Sequence, residues 1–287
     1  MAHLTNAHVL CFLFAAVTVA VDAKTTAESG IQTTQTIVND ILSWQKKHIN
    51  EDLPFVTITY AQSLDGKIAV VCRQGDEDTS SNFALSCPQS LCMTHALRSI
   101  HDAILVGGNT LSVDNPRLNN RLWGKPDENG VTRFTQPRPI VLDTDLKHLK
   151  KLGTKLRAQN IIACCSLKAA AAAAVDPTEL PGSVELLPCT VSAQTGRIDL
   201  RLLLQSLRQK YGIHSVMVEG GASVITEFLA QRELLGSICI TVAPKIIGRG
   251  LPAIDAERIN TVLDEACFAS SRFLLLGDDS IFFAKLS

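Results

Sequence analysis

No two of the nine cysteines in this chain stand in C-x-x-C spacing, and no H-x-E is followed by P-C-x-x-C. A structural zinc cluster and a zinc deaminase site are therefore missing from the sequence. Cys164 and Cys165 are adjacent, and Cys164 in NIIACC and Cys239 in SICITVA lie in apolar runs. These cysteines read as small buried hydrophobes with reduced thiols. An excess of one charge is lacking too. Lys and Arg number 27 against 28 Asp and Glu and are spread along the chain, so the electrostatic footprint of a nucleic-acid binder is absent. Internal repeats are absent, and His95 and His101 stand in no triad or metal spacing. The one long apolar run, HVLCFLFAAVTVAV, is too short for a convincing transmembrane helix, so no stable membrane association is expected.

That run has signal-peptide length and small residues after it in VDA, yet no Lys or Arg precedes it. Two readings stay open for residues 1–23: a cleavable targeting segment, or a plain extension. The first routes the protein to a secretory or organellar compartment, the second leaves it cytoplasmic. Residues 24–34, KTTAESGIQTT, read as a polar linker, and Ile37, Ile41, Leu42 and Trp44 predict a lead-in helix from Thr36. Residues 1–50 are thus expected to stand apart from a catalytic domain over 51–287.

With 46% hydrophobic and 19% charged residues, the remainder is that of a soluble globular protein able to bury a sizeable core. PFVTITYA predicts a first strand and SLDGK a turn. Pro88 opens a helix through CPQSLCMTHALRSIH. AILVG, PIVLD and NIIACC are apolar without alternation, as central parallel strands are. LKAAAAAAV and DLRLLLQSLRQKYG are helices, the second ended by Gly212. SVMVE runs into glycines and a helix, SICITVA is a late strand, and SRFLLLGDDSIFFAKL reads as a closing hairpin. Alternating strands and helices predict an α/β fold with a mainly parallel sheet and an antiparallel edge.

Two segments carry chemistry. In VEGGASV, Gly220 and Gly221 stand where a strand becomes a helix, so backbone N–H groups can approach an anion. The pair does not make G-x-G-x-x-G, which disfavours a standard dinucleotide fingerprint. Glu219, an acid at the carboxyl end of an apolar strand, occupies the edge where open α/β sheets put ligands, and serves equally well as a plain strand-end acid. In AILVGGNTLSVDNPRLNNR, a core strand empties into a polar loop. Its Arg117 and Arg121 can clamp a phosphate, while the bland reading is a solvated loop. Asp65 in its turn and Arg98 on its helix are ambiguous in the same way.

Five segments in order, PFVTITYAQSLDGKIA, MTHALRSIHDAILVGGNTLSVDNPRLNNR, RPIVLD, VMVEGGASVITEFL and ITVAPKIIGRG, resemble the reductases of riboflavin biosynthesis from about Pro54 onward. The similarity is to the stand-alone fungal-type enzymes, which are related to the reductase half of the bacterial deaminase-reductase. The resemblance implies a dihydrofolate-reductase-like fold, a homodimer, and NADPH as cofactor, with NADH left open. It implies reduction at C1′ of a ribosylamino-pyrimidinone 5′-phosphate to the ribitylamino product. By the same resemblance Ala61, Thr110, Asp114, Thr144 and the run Gly220, Gly221, Ala222, Ser223, Val224 contact the cofactor. Ser86, Arg98, Leu118, Arg121 and Glu219 contact the substrate, with Arg98 and Arg121 on its phosphate. Asp65 and Lys67 line the same cleft, and Glu219 or Asp65 supplies the acid; no metal is implied. The segment VVCRQGDEDTSSNFALSC is longer and more acidic than the family's usual passage. A fold-mate acting on dihydrofolate and a nucleotide-binding pseudoenzyme are the rival readings.

Overall fold

The apolar runs without alternation become the middle of one sheet. The computed structural model describes residues 23–48, 50–74, 77–81, 83–126, 132–149, 160–175, 184–259 and 267–287. Its first half contains α1 (Ala23–Lys46), β1 (Phe55–Ser63), β2 (Lys67–Gln74), β3 (Glu77–Ser81), α2 (Pro88–Ser99), β4 (Ala103–Gly107), α3 (Gly108–Asp114), β5 (Lys125–Pro126), β6 (Thr132–Arg133) and β7 (Arg138–Leu142). Its second half contains β8 (Ile161–Ser166), α4 (Leu167–Val175), β9 (Val184–Cys189), α5 (Leu200–Tyr211), β10 (Ser215–Gly220), α6 (Ala222–Ala230), β11 (Ser237–Ala243), β12 (Gly250–Pro252), β13 (Phe268–Leu276) and β14 (Asp279–Leu286).

The main sheet runs β13-β14-β11-β1-β10-β4-β7-β8-β9. Neighbours from β11 to β9 are parallel, and the β13–β14 hairpin closes one edge antiparallel. This is the α/β architecture that the order of runs predicts. A small antiparallel sheet, β12-β2-β3, stands off the main one.

Period-2 alternation assigns the faces. Ala103 and Leu105 of β4 pack with Phe228, Leu204 and Leu207 of α6 and α5. Ile104 and Val106 face the other way, with Leu111 and Leu118. Local signals set the helix ends. Pro88 occupies the first turn of α2. Asp199 caps α5 by accepting from Leu202 N–H, and Gly212 closes it at φ 63°, where only a glycine is unstrained.

One expectation fails at the N-terminal side. Residues 24–34 are helical rather than a linker, because α1 starts at Ala23. Nor does α1 stand apart. Ile37 and Ile41 are fully buried with Phe55, Met93, Leu97, Met217 and Phe283, and Trp44 stacks on Phe283. Each such isoleucine contributes about 2 kcal/mol of transfer free energy. The spacing that marks an amphipathic helix thus also marks a docked one. The apolar run and the rest of residues 1–22 lie outside the described residues. Among the described residues no helix is long and apolar enough to cross a membrane.

Beneath β1 a buried polar chain substitutes for packing. His101 Nδ1 donates to Leu97 O at 2.7 Å, so Nε2 accepts from Thr57 Oγ1 at 2.8 Å. Thr57 Oγ1 in turn lies 2.9 Å from Ser237 Oγ. Burial brings the imidazole down to a pKa of about 4, so it is neutral in the fold. An unfolded histidine titrates near 6.5. Below that pH the unfolded chain takes up a proton that the fold refuses. Stability present above pH 6.5 is therefore lost progressively as pH falls to 4, by up to about 3 kcal/mol. Urea midpoints across this range measure it, and a flat profile contradicts it.

Candidate active site

The site lies where parallel strands end. β10 and β4 are neighbours, with Val218 opposite Leu105 and Gly220 opposite Val106. The helices that follow them, α6 and α3, therefore begin side by side. The two segments singled out in the sequence touch. Thr110 Oγ1 donates to Gly220 O at 3.4 Å, and a Cβ built on Gly221 would come 2.6 Å from Thr110 Oγ1. Gly220 and Gly221 also have φ of 100° and 74°, so both the backbone and the close approach demand glycine. Neither α3 nor α6 carries a side-chain cap at its N-terminus. The first N–H groups of α6 are thus not taken up by a side-chain cap.

These helix ends open into a cleft of about 910 Å³. Ala61, Ser86, Thr110, Asp114, Glu219, Gly221, Ala222, Ser223 and Val224 all line it. Thr110 and Asp114 are one turn apart, because the first half of the expected loop is in fact helical. Asn115 ends that helix in the left-handed region. Burial pushes the Asp114 carboxyl above its ordinary value. Thr144 lines an adjoining cavity of about 300 Å³ together with Gly107, Asn109 and Val224. Lys245 holds the Ser86 segment in place by donating to Ala84 O and Leu85 O at 2.6 and 2.8 Å.

Glu219 is exposed only 15% and meets Arg98, exposed 10%, in a two-point pair. Arg98 Nε and Nη2 donate to its two oxygens at 2.6 Å each, and Nη1 donates to Asn119 O at 2.8 Å. The bulge between Val218 and Gly220 lies at Glu219, at the strand's end. Burial works against the Arg98 charge, and Glu219 more than offsets it, so the guanidinium sits above its ordinary value.

Three of the five N–H groups of Arg98 thus donate within the protein, one to Asn119 O and two to Glu219. Arg121, like Arg117, is exposed, and its Nη1 donates to Asn119 Oδ1 at 3.2 Å. Its affinity for its proton is lowered by partial burial and by the nearby charges of Arg98 and Arg117. Such crowding of like charge favours an anion. Arg121 N–H donates to Nδ1 of His95 at 3.0 Å. Burial, with Arg98 and Arg121 nearby, brings His95 down to about 4 and keeps it neutral as that acceptor. His95 and Arg98, one turn apart on α2, thus grip both sides of residues 119–121. Sequence reasoning left His95 unassigned, although its spacing from Arg98 was visible.

Asp65, Arg98, Leu118, Arg121 and Gly220 are not among the residues that line either cavity. Leu118 is 1% exposed and belongs to the core with Leu111 and Val141, so its side chain is closed to any ligand. Its φ of 48° turns the chain toward Asn119 and Arg121. Asp65 is absent from the cleft lining. Its carboxylate accepts from Ser63 Oγ, Ile247 N and Gly248 N at 2.6, 3.0 and 2.7 Å. Those bonds pull its pKa down to about 2, so it has no proton to give near neutrality. Lys67 is outside the lining too, and its N–H donates to Ser63 Oγ. Thr59, Thr94, Arg197 and Arg258 line the cleft without having been anticipated. The two arginines come from segments separated in sequence from both marked loops, and no local pattern announces them. Among the described residues no cluster of His, Cys, Asp and Glu could hold a metal.

Glu219→Ala strands the Arg98 charge in the interior and is expected to cost about 3–5 kcal/mol. Arg98→Met combined with Glu219→Leu should recover most of that loss. Urea denaturation of the wild type and these two variants checks both statements, and a double variant no more stable than Glu219→Ala would contradict the second.

A family model described as the RibD C-terminal domain matches residues 54–273. The 2,5-diamino-6-ribosylamino-4(3H)-pyrimidinone 5′-phosphate reductase of Saccharomyces cerevisiae is 34% identical over 205 residues, spanning 69% of this chain and 75% of its own. The enzyme of that name from Candida glabrata is 36% identical over 202 residues, spanning 68% and 76%. A solved structure of the Saccharomyces cerevisiae riboflavin biosynthesis reductase superposes with a TM-score of 0.61 at 26% identity, covering 84% of this chain and 93% of that one. By domain match, sequence identity and shared architecture, the chain belongs to the RibD C-terminal domain family.

Proposed function

We propose that the chain reduces 2,5-diamino-6-ribosylamino-4(3H)-pyrimidinone 5′-phosphate to its ribitylamino product with NADPH. The observation that carries this is the meeting of the Thr110–Asp114 helix and the Gly220–Val224 turn in one cleft with Glu219. The residues fit a dinucleotide: uncapped helix ends and a glycine approach that a Cβ would fill suit a pyrophosphate. When bound, the nicotinamide supplies the hydride, so the protein needs no nucleophile.

The chain's own residues then bind and orient. Thr110, Asp114 and residues 221–224 hold the cofactor, with Ala61 on the cleft wall and Thr144 in the adjoining cavity. Arg121 takes the substrate phosphate as a charge-assisted contact, while Ser86 and Glu219 flank the sugar. With Asp65 outside the cleft, Glu219 is the member of that pair that lines it. Both its oxygens accept from Arg98, which suits a carboxylate facing the positive charge of a protonated, ring-opened imine. Arg98 acts through Glu219 as a positioning residue. Homodimerisation belongs to the same reading; β13 is the outermost strand and exposes Phe273 and Leu275.

The test is spectrophotometric: NADPH oxidation by the full chain with this substrate, its deaminated counterpart and dihydrofolate. Turnover of the ribosylamino compound is expected. Preference for dihydrofolate rejects the substrate, and nucleotide binding without oxidation rejects the enzyme. Arg121→Ala should raise the substrate KM about tenfold or more while leaving the NADPH Kd unchanged. Thr110→Val should do the reverse, weakening NADPH about fivefold. Equal effects on both ligands in either variant would overturn the division of the cleft.

A further inference from the structure

The cleft continues around the start of α6 into the smaller cavity, and Gly107, Asn109, Arg197, Ser223 and Val224 wall both. Arg197 Nη1 donates to Ser223 Oγ at 2.5 Å, and Arg258 Nη1 donates to the same oxygen at 3.4 Å. Arg258 Nη2 also pairs with Glu227 Oε2 at 2.5 Å, and Arg197 Nη1 stands 3.7 Å from that oxygen. Two guanidiniums therefore share the Glu227 carboxylate beside the second residue of α6. Asp255 and Glu257 line the cleft at the same end, and Asp255 Oδ1 is engaged by Glu257 N–H. Ser223 Oγ accepts from both arginines and keeps its own proton for a further acceptor.

The arginines come from distant places, one just before α5 and the other after β12. Their side chains are 39% and 27% exposed, so they are not core ion pairs and remain open to a ligand. A planar guanidinium on each side of a hydroxyl suits the tetrahedral oxygens of a phosphoryl group. We infer that Arg197 and Arg258 clamp a phosphoryl group of the nicotinamide dinucleotide at the junction of the two cavities. This deepens the reductase reading and rests on it. The phosphoryl group is either the pyrophosphate, common to NADPH and NADH, or the 2′-phosphate that only NADPH carries.

The experiment is calorimetric titration of the full chain with NADPH and with NADH, without substrate, for wild type, Arg197→Ala, Arg258→Ala and Arg197→Lys. Thermal melting of each variant confirms folding, and should one alanine variant fail to fold, the other carries the test. Each alanine variant is expected to bind NADPH about tenfold more weakly, with Arg197→Lys recovering part of the loss. Loss in equal proportion for NADH assigns the clamp to the pyrophosphate. Loss confined to NADPH assigns it to the 2′-phosphate. A change below about threefold in both folded alanine variants overturns the clamp. Wild type that binds neither nucleotide overturns the reductase reading itself, whereas wild-type binding with unaffected variants removes only the clamp.

Discussion

The pairing of Arg98 with Glu219 is the constraint around which the site is arranged. It joins α2 to the end of β10, and through Nη1 it also holds the carbonyl of Asn119. Three separate stretches of chain are thus referred to a single planar group. Two charges exposed 10% and 15% have given up much of their hydration, which their mutual geometry must replace. A buried pair of this kind adds little net stability over apolar residues of the same shape. Its value is in direction: a carboxylate held at two points cannot rotate, and the backbone beside it cannot drift. His95, one turn earlier, extends the same control to Arg121 without adding a charge.

Much of the fold was legible because its signals are local. AILVG and SVMVE are apolar on both faces, and both became central strands buried on both sides. Pro88, Asp199 and Gly212 mark helix ends by rules of backbone geometry alone. The linker at 24–34 was misread for the same reason. Its Thr, Ser and Gln carry no apolar stripe, and what extends the helix through it is continuity with the docked turns after Thr36. Polar composition said nothing of its conformation, nor that Thr34 would be buried.

The site was legible where a motif combined a strand end with glycines, as at Glu219 to Val224. It was illegible where function depends on which atoms face each other. Asp65 looks like a cleft acid in sequence, and only the approach of Ile247 and Gly248 N–H groups reveals it as a fixed anion. Arg98 shows no partner in sequence, and only the fold brings Glu219, 121 residues later, to its fork. Leu118 sits amid polar neighbours yet turns into the core through a left-handed backbone. In each case the deciding partner is remote in the chain, which no window of residues contains.

The Asp65 anchor reaches further than its own turn. Ile68, Ala69, Leu251 and Pro252 form one wall of the cleft, and they belong to the small sheet rather than the large one. Where β2 departs from β1, Asp65 ties that departure to the chain leading into β12. One wall of the cavity is consequently tied to a solvent-facing side chain that is absent from its lining. A family of such proteins could retune the gauge of its opening by trading residues at this mooring, leaving every group that meets a ligand untouched.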